Sequence, residues 1–160
     1  MGVAPKHMLH LRPYQHDDFL AVWDLHNLSL TQARAHGGNG PWDDDLRAIP
    51  DIYLRDNGAF VVGLVDERIV AMGALKRISE TEAEVKRMRV HPDFQRRGYG
   101  QQVLSHLEAK ALDLGYLSLR LDTTTAQKAA LSLYAKNGYS EVGRRSWREF
   151  EMVYFIKHLL

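Results

Sequence analysis

The sequence has no cysteine among its 160 residues, which excludes disulfide bonds, zinc sites with cysteine ligands and catalysis by a thiol nucleophile. Long apolar runs are also missing. No stretch approaches the ~18 consecutive apolar residues of a membrane-spanning helix. Residues 1–6 lack the apolar run of a signal peptide, and Lys6 stands where a myristoylation signal needs serine or threonine. We therefore expect a soluble, cytoplasmic protein that is not attached to a membrane.

An excess of charge of one sign is absent as well. Lysine plus arginine number 21 and aspartate plus glutamate number 20, which leaves a net charge of +1. Nucleic-acid-binding domains are usually basic and combine cations with aromatic residues, and the arginines between residues 87 and 97 are not interleaved in this way. The eight histidines form no His-x-x-x-His motif with a supporting carboxylate. We therefore expect no nucleic-acid partner and no bound metal ion.

The sequence does contain enough apolar material for one substantial core. Hydrophobic residues make up 45% of the chain and charged residues 26%, which is the usual mixture for a globular protein. A chain of 160 residues has the size of one ordinary domain, so we expect residues 1–160 to form a single domain.

The spacing of apolar residues predicts a mixed sheet with helices on its faces. This is an α/β architecture with the element order β-α-α-β-β-β-α-β-α-β-β. The predicted strands cover residues 8–12, 59–65, 69–77, 81–90, 117–121, 139–144 and 147–157. The first predicted helix begins at Asp17, and the others cover residues 43–56, 99–114 and 126–137. Short turns join the three strands between residues 59 and 90, which predicts an antiparallel meander.

The most informative segment is Gln95-Arg96-Arg97-Gly98-Tyr99-Gly100, which leads from a strand directly into a helix. Glycine lets the backbone approach a ligand closely, and a helix N-terminus offers N–H donors and a positive dipole end. The segment therefore predicts a pyrophosphate site. A dinucleotide fingerprint is excluded because its third glycine position is Val103, and a P-loop is excluded because Gln101 follows Gly100. The alternative is a plain strand-to-helix turn with two solvated arginines.

This segment follows Val90-His91-Pro92 and resembles the acetyl-CoA loop of the GNAT N-acetyltransferase superfamily, whose pattern is Gln/Arg-x-x-Gly-x-Gly/Ala. Residues 130–139 (Ala-Leu-Ser-Leu-Tyr-Ala-Lys-Asn-Gly-Tyr) resemble the second cofactor motif of that family, an Ala-x-x-x-Tyr helix that ends in Gly-Phe/Tyr. The two motifs stand in the family's order, and the order of elements agrees over about the whole chain. The resemblance implies the acyl-CoA N-acyltransferase fold.

The resemblance also implies acetyl-CoA as the cosubstrate and assigns residues to it. The backbone of Met88, Arg89 and Val90 would pair with the pantetheine arm like an added strand, with the Met88 N–H as an oxyanion donor for the acetyl carbonyl. The N–H groups of residues 96–100 would hold the pyrophosphate. Gln127 occupies the position where many relatives have asparagine, and it would contact the cofactor there.

Two residues are candidates for the chemistry. Glu84 matches the position of the catalytic glutamate of related enzymes, and strict strand alternation places it on the same face as Met88 and Val90. A carboxylate there would take a proton from the acceptor ammonium, directly or through water. Tyr134 is the candidate acid, because a phenol can protonate or hydrogen-bond a departing thiolate. The alternatives are a glutamate that is solvated or paired with a neighbouring cation, and a tyrosine that merely packs in the core.

These observations predict an enzyme that transfers the acetyl group of acetyl-CoA to a primary amine by direct attack. The alternative is a module that binds acetyl-CoA as a sensor without turnover. The acceptor is left open between a small-molecule amine and a peptide amine, and the protein would be a monomer or a homodimer. Asp43, Asp44 and Asp45 follow the loop where the family builds its acceptor site, and they would either attract a cationic amine or cap a helix.

Overall fold

A computed structural model describes residues 8–160, so the expectations for residues 1–6 lie outside the described part of the chain. The strands are β1 (His10–Pro13), β2 (Ala59–Val65), β3 (Arg68–Arg77), β4 (Glu82–Val90), β5 (Ser118–Thr124), β6 (Ser140–Trp147) and β7 (Phe150–His158). The α-helices are α1 (Phe19–Gln32), α2 (Tyr99–Asp113) and α3 (Lys128–Lys136). Every predicted strand is confirmed, with its ends shifted by at most a few residues.

All the strands belong to one mixed sheet with the order β1-β2-β3-β4-β5-β7-β6. Neighbouring strands are antiparallel, including the predicted β2–β3–β4 meander, except for the parallel pair of β4 and β5. Parallel neighbours need a long connection, and α2 lies in the connection between these two strands. The predicted architecture, a mixed sheet with helices on its faces, is confirmed.

Each face of the sheet is covered by its own apolar cluster. On one face, Val103 and Leu107 of α2 pack with Leu75 and other buried strand residues. On the other face, Val22 of α1 packs with a cluster that contains Phe60. The sheet therefore lies between two layers, and a ligand reaches its interior only where strands separate. None of the helices between residues 8 and 160 is long and apolar enough to cross a membrane.

The predicted helix over residues 43–56 is wrong. This part of the chain forms a 3₁₀ segment at Pro41–Arg47 and a short π-helical segment at Pro50–Leu54. Proline suits the first turn of a helix but cannot donate the hydrogen bond that a helix interior needs, so Pro50 ends one segment and begins the next. Leu46 and Tyr53 are nevertheless fully buried. The apolar spacing of this segment therefore predicted which side chains are buried, but not the hydrogen-bond pattern of the backbone.

Strand β4 contains a bulge that changes which side chains share a face. Met72 lies opposite Arg89 and Ala74 lies opposite Lys86, so two residues of β4 oppose the single residue between Met72 and Ala74. Arg87, one of the two, has a φ of 60°, in the left-handed region that a regular strand never uses. Because directly opposed residues share a face, Lys86 and Arg89 both lie on the α1 side of the sheet.

Candidate active site

Strands β4 and β5 pair only at their beginnings. The parallel pairing runs from Glu82 with Ser118 to Glu84 with Arg120 and then stops, although both strands continue. From residue 85 onwards, β4 has no strand partner on its β5 side within the described chain. An unpaired strand edge offers backbone donors and acceptors to an extended ligand. The divergence of the two strands therefore creates a place where such a ligand can enter the sheet.

Two cavities meet at this opening. The hairpin cavity, of about 380 Å³, is bordered by loop residues 36–42, β4, β5 and the β6–β7 hairpin. The glycine-loop cavity, of about 540 Å³, is bordered by the loop before α2 and by α3. The residues that line both cavities are Met88, Arg89, Gln127 and Tyr134. A group bound at these residues is thus reachable from two sides.

The loop predicted to bind pyrophosphate lines the glycine-loop cavity through Gln95, Arg96, Gly98, Tyr99 and Gly100. Arg96 and Gly98 have φ values of 63° and 79°, so the chain turns sharply just before α2. Gly98 is suited to this conformation because a residue without Cβ adopts positive φ at little cost. The first turn of α2 then supplies the N–H donors and dipole of a helix N-terminus, which favours a phosphate.

Arg97 is the member of the loop whose side chain does not line the cavity. Its guanidinium lies over the Phe94 ring at 4.9 Å and donates to the Asp93 carbonyl at 3.4 Å. Any contact of Arg97 with a ligand in this cavity would therefore come from its backbone.

The carbonyl of Val90, at the end of β4, accepts a hydrogen bond from the Gln95 side chain at 3.3 Å.

The second predicted motif holds α3 beside α2. The side-chain amides of Gln101 and Asn137 exchange two hydrogen bonds, at 2.8 and 2.7 Å. Gly138, with a φ of 85°, ends the helix. Gln127 stands at the N-terminal end of α3, where its N–H donates to the Thr124 carbonyl at 3.1 Å. The two motifs that the sequence assigns to one ligand therefore lie side by side around one cavity.

Tyr134 lies where the cavities meet. Its ring packs against Tyr139 and Phe155, with centroid distances of 5.7 and 6.2 Å, and its side chain is buried. Burial raises the pKa of Tyr134 to about 12, although the charge of Arg89 opposes the rise. A phenol with a raised pKa keeps its proton at neutral pH and can donate it to an anion that forms nearby. The position fits both the predicted acid and a packed core aromatic.

Glu84 does not lie where strict alternation predicts. The bulge at Arg87 puts Glu84 on the opposite face from Met88 and Val90, so the predicted shared face is wrong. Glu84 occupies the last paired position before the strands diverge, and it lines neither cavity. Burial raises the pKa of its carboxyl. A contact between Glu84 and a ligand in the hairpin cavity would therefore need a bridging water.

Asp122 is a carboxylate that the sequence analysis did not single out. It lies two residues beyond Arg120 on β5, past the point of divergence, and lines the hairpin cavity. Burial raises the pKa of its carboxyl, while nearby cations, Lys86 foremost, oppose the rise. One signal could have found it: Asp122 stands near the carboxyl end of a parallel strand, where open α/β sheets bind their ligands.

Two of the three consecutive aspartates are committed to buried contacts. Asp43 accepts a hydrogen bond from His26 Nε2 at 2.9 Å, and Asp45 accepts one from Arg87 Nε at 2.9 Å. Asp44 is exposed. The run therefore fastens this segment of chain to α1 and β4. Asp43 also accepts a hydrogen bond from the Gly40 N–H at 3.4 Å, at the start of the 3₁₀ segment Pro41–Arg47, so it takes part in the predicted capping as well. Attraction of a cationic amine stays a prediction.

Aromatic residues line part of the hairpin cavity. The rings of Trp42 and Trp147 meet edge to face at 5.3 Å. Arg148 lies over the Trp42 ring at 4.9 Å and donates to the Gly37 carbonyl at 3.0 Å. These contacts join the loop of residues 36–42 to the β6–β7 hairpin. Within residues 8–160, no group of three or more histidine, aspartate or glutamate side chains is arranged to hold a metal ion.

A mixed sheet whose parallel pair diverges beside a glycine loop defines an acyltransferase of the acyl-CoA N-acyltransferase fold. The model of the acetyltransferase (GNAT) family matches residues 19–139. A [Ribosomal protein bS18]-alanine N-acetyltransferase from Salmonella typhimurium is 36% identical over 127 residues, which cover 78% of this chain and 76% of the relative. The chain therefore belongs to the GNAT family of acetyltransferases.

Solved structures share this fold. A GNAT-family acetyltransferase from Staphylococcus aureus Mu50 superposes with a TM-score of 0.88 at 16% identity, over 96% of this chain and 100% of that one. The structure of yncA from Salmonella typhimurium with its cofactor acetyl-CoA superposes with a TM-score of 0.78 at 16% identity, over 94% of each chain. The predicted fold is thereby confirmed.

Proposed function

We propose that the protein transfers the acetyl group of acetyl-CoA to a primary amine by direct attack. One observation carries this proposal: Met88, Arg89, Gln127 and Tyr134 line both cavities. A thioester entering from the glycine-loop cavity and an amine entering from the hairpin cavity would meet at these residues. The membership in the GNAT family and the acetyl-CoA bound to a structural neighbour support this arrangement.

The glycine-loop cavity would hold the cosubstrate. The loop of residues 95–100 and the first turn of α2 suit its pyrophosphate, because backbone N–H groups and the helix dipole favour phosphate oxygens. The unpaired edge of β4 beyond Glu84 suits the extended pantetheine arm. Met88, inside the bulge, would direct its N–H at the acetyl carbonyl and stabilise the oxyanion that forms during attack.

The hairpin cavity would hold the amine. We propose Asp122 as the group that removes the proton of the acceptor ammonium, since it is the carboxylate at the opening that lines this cavity without a partner inside ion-pair distance among residues 8–160. The amine nitrogen then attacks the carbonyl carbon and the carbon–sulfur bond breaks. The leaving thiolate takes a proton from Tyr134, which regains one from the nitrogen as the amide forms. Glu84 stays a second candidate for the base, acting through a bridging water.

The proposal leaves two classes of acceptor amine open. The name of the relative from Salmonella typhimurium gives an alanine of ribosomal protein bS18 as its acceptor, so a peptide α-amine is one possible class of acceptor for this chain. A small-molecule amine is the other class. The monomeric or homodimeric state and the cytoplasmic location stay predictions of the sequence.

The cofactor assignment is tested by thermal denaturation. A ligand that binds only the folded state raises the Tm, so CoA and acetyl-CoA should raise it more than NAD or ATP. Gly100→Glu should abolish the CoA shift, because it places a negative charge beside the phosphates. A Cβ at position 100 would lie 3.6 Å from Leu133 Cδ2, an ordinary contact, so Gly100→Ala is the matched control and should keep most of the shift. An equal or larger shift with NAD would contradict the assignment.

A further inference from the structure

A guanidinium without a carboxylate partner lies where the two cavities meet. Arg89 donates through Nη1 to the Met88 carbonyl at 2.8 Å and through Nε to His26 Nδ1 at 3.4 Å. Among residues 8–160, no carboxylate lies within ion-pair distance of Arg89, whereas the neighbouring Arg87 is paired with Asp45 at 2.5 Å. Charges removed from bulk water are normally paired, because their desolvation is costly. Arg89 is therefore suited to bind an anionic group of a ligand.

The direction of the Arg89 side chain is set by a buried pair. His26 is 1% exposed and its Nε2–H donates to Asp43 at 2.9 Å. Burial, together with the charge of Arg89, lowers the pKa of His26 to about 3, so the imidazole is neutral and Nδ1 is an acceptor. Asp43 thus orients His26, and His26 orients Arg89. An arginine held in this way loses little side-chain entropy when it binds a ligand.

The rest of the hairpin cavity is also short of negative charge. Lys86 and Arg145 line it, and within the described chain neither forms an ion pair. The carboxylates on its wall are Asp43, which is engaged by a histidine, and Asp122. The hydroxyl of Thr124, on the same wall, is buried and has no hydrogen-bond partner among residues 8–160. The cavity thus combines several unpaired donors with one unpaired carboxylate.

The size and walls of the cavity favour a small ligand. Its volume of about 380 Å³ lies near the lower end of the ~300–1,000 Å³ that small-molecule sites occupy. The contact of Trp42 with Trp147, and the bond from Arg148 to Gly37, join the loop of residues 36–42 to the β6–β7 hairpin beside the cavity. The indole rings and Met152 line the same space and offer apolar surface.

On the basis of the proposed function, we infer that the acceptor is a free α-amino acid with an apolar side chain. Arg89 binds its carboxylate in the bidentate manner that a guanidinium favours. Asp122 receives the adjacent amino group, which is the nucleophile. Trp42 and Trp147 contact the side chain. Arg89 and Asp122 both line the hairpin cavity, so one small molecule bound there would meet both charges.

The test compares amino acids with their amides, in which a neutral amide replaces the charged carboxylate next to the amine. L-Leucine and L-phenylalanine are assayed against L-leucinamide and L-phenylalaninamide, with acetyl-CoA saturating and thiol release as the readout. A peptide with an N-terminal alanine and an amidated C-terminus is included. Loss of one charged hydrogen-bonding partner corresponds to about a 10- to 100-fold change, so kcat/KM should favour the acids by about that factor.

Variants assign the effect to Arg89. Arg89→Gln should raise the KM for L-leucine and remove the preference for the acid over the amide, with a much smaller change in the KM for acetyl-CoA, because the backbone of residue 89 is kept. Arg89→Lys should keep part of the preference, because lysine keeps the positive charge but lacks the two parallel N–H donors of a guanidinium. Arg55→Gln is the matched control, since Arg55 is exposed and lines neither cavity. Tm values show whether each variant is folded.

The outcomes separate this inference from the proposed function. If the amides or the peptide are acetylated as well as the acids, the inference is wrong and the proposed function stands. If no amine is acetylated, the proposed function is wrong. Binding then decides the inference: L-leucine that raises the Tm more than L-leucinamide supports an amino-acid site at Arg89, and equal or absent shifts overturn it. The acid–amide comparison uses the unaltered protein, so it holds even where Arg89→Gln does not fold.

Discussion

At the scale of single residues, the chemistry is assigned to two side chains whose surroundings favour their protonated forms. Burial raises the pKa of the Asp122 carboxyl and of the Tyr134 phenol. A carboxylate with a raised pKa is a stronger base, and a phenol with a raised pKa stays protonated and can donate a hydrogen bond to the thiolate as it leaves. Asp122 lines the hairpin cavity and Tyr134 lines both cavities, so the proton would be removed on the amine side and donated where the two cavities meet.

Replacement of Asp122 tests the base. Asp122→Asn preserves size but cannot take a proton, so kcat/KM at neutral pH should fall by about 10²- to 10⁴-fold and recover partly as pH rises, when more amine is already deprotonated. In the unaltered protein, activity should fall as pH falls through the pKa of Asp122, which lies above the ordinary 3.8. Glu84→Gln is the comparison. A larger loss in Glu84→Gln, with an unaltered pH–rate profile for Asp122→Asn, would return the role to Glu84.

Removal of one hydroxyl tests the acid. Tyr134→Phe keeps the ring contacts with Tyr139 and Phe155, so the fold should be kept. If the hydroxyl protonates the thiolate, kcat should fall by about 10- to 1,000-fold, while the Kd for CoA barely changes. Single-turnover kinetics identify the chemical step. Unchanged turnover with chemistry rate-limiting would make Tyr134 a core aromatic only.

At the level of residues, the motifs predicted side chains that line one cavity, and their roles there stay predictions; strict alternation failed where local geometry decides. Gly98 and Gly100 line the predicted cavity, and Tyr134 lies at its end. The face of Glu84 was predicted wrongly because a two-residue period cannot report a bulge. Asp122 was overlooked because an outward aspartate on an alternating strand has the same pattern as a solvated one.

At the scale of elements, the bulge in β4 links the active site to the segment Pro41–Arg47. Its positive φ lets Arg87 reach Asp45, and the same guanidinium donates to the Trp42 carbonyl at 2.6 Å. The residue that interrupts the alternation of β4 thus also fixes the loop that carries Trp42. The wall of the hairpin cavity and the direction of Arg89 consequently depend on one irregularity in one strand.

The ion pair between Arg87 and Asp45 should make stability depend on pH. Burial opposes ionisation of Asp45, but the hydrogen bonds from Arg87 and Tyr53 and the Arg87 charge lower its pKa to about 2 from 3.8. A lowered pKa stabilises the fold above the unfolded-state value, and that contribution is lost as pH falls through the folded value. The free energy of unfolding should therefore fall by on the order of 1–2 kcal/mol between pH 5 and about 2 from this group.

Asp45→Asn measures that contribution. The variant should be less stable than the unaltered protein at neutral pH, and its free energy of unfolding should change less on acidification. Asp44→Asn is the matched control, because Asp44 is exposed and its one ion pair among residues 8–160 is with the exposed Arg47. Chemical denaturation at several pH values gives both curves. Parallel curves for Asp45→Asn and the unaltered protein would show that the pair contributes no pH-dependent stability.

The elements differ in how well a sequence predicts them. Strands β2 and β3 follow from dense apolar runs bounded by turn residues, and α2 follows from its apolar face and the glycine after it. The helix predicted over residues 43–56 failed because its burial comes from tertiary packing against the sheet, while Pro50 prevents continuous helical hydrogen bonds.

At the scale of the whole molecule, the divergence of β4 and β5 explains why one site has two entrances. A sheet covered on both faces has no interior space for a ligand, and the separation of a parallel pair provides it without exposing either apolar cluster. The order of elements and the two motifs predicted this fold from the sequence. The residues that line the hairpin cavity come from strands and loops that are far apart in the chain. Local sequence patterns cannot show that these residues meet.

The central claim is that an amine in the hairpin cavity attacks acetyl-CoA held in the glycine-loop cavity. The most direct measurement mixes the protein with acetyl-CoA and single amines, and follows thiol release together with the masses of the amine and the protein. We predict release that depends on the amine, one acetyl group on the amine for each thiol released, and no acetylated protein. Tight binding of acetyl-CoA with no acetylation of any amine, or an acetylated protein that forms before the product, would contradict it.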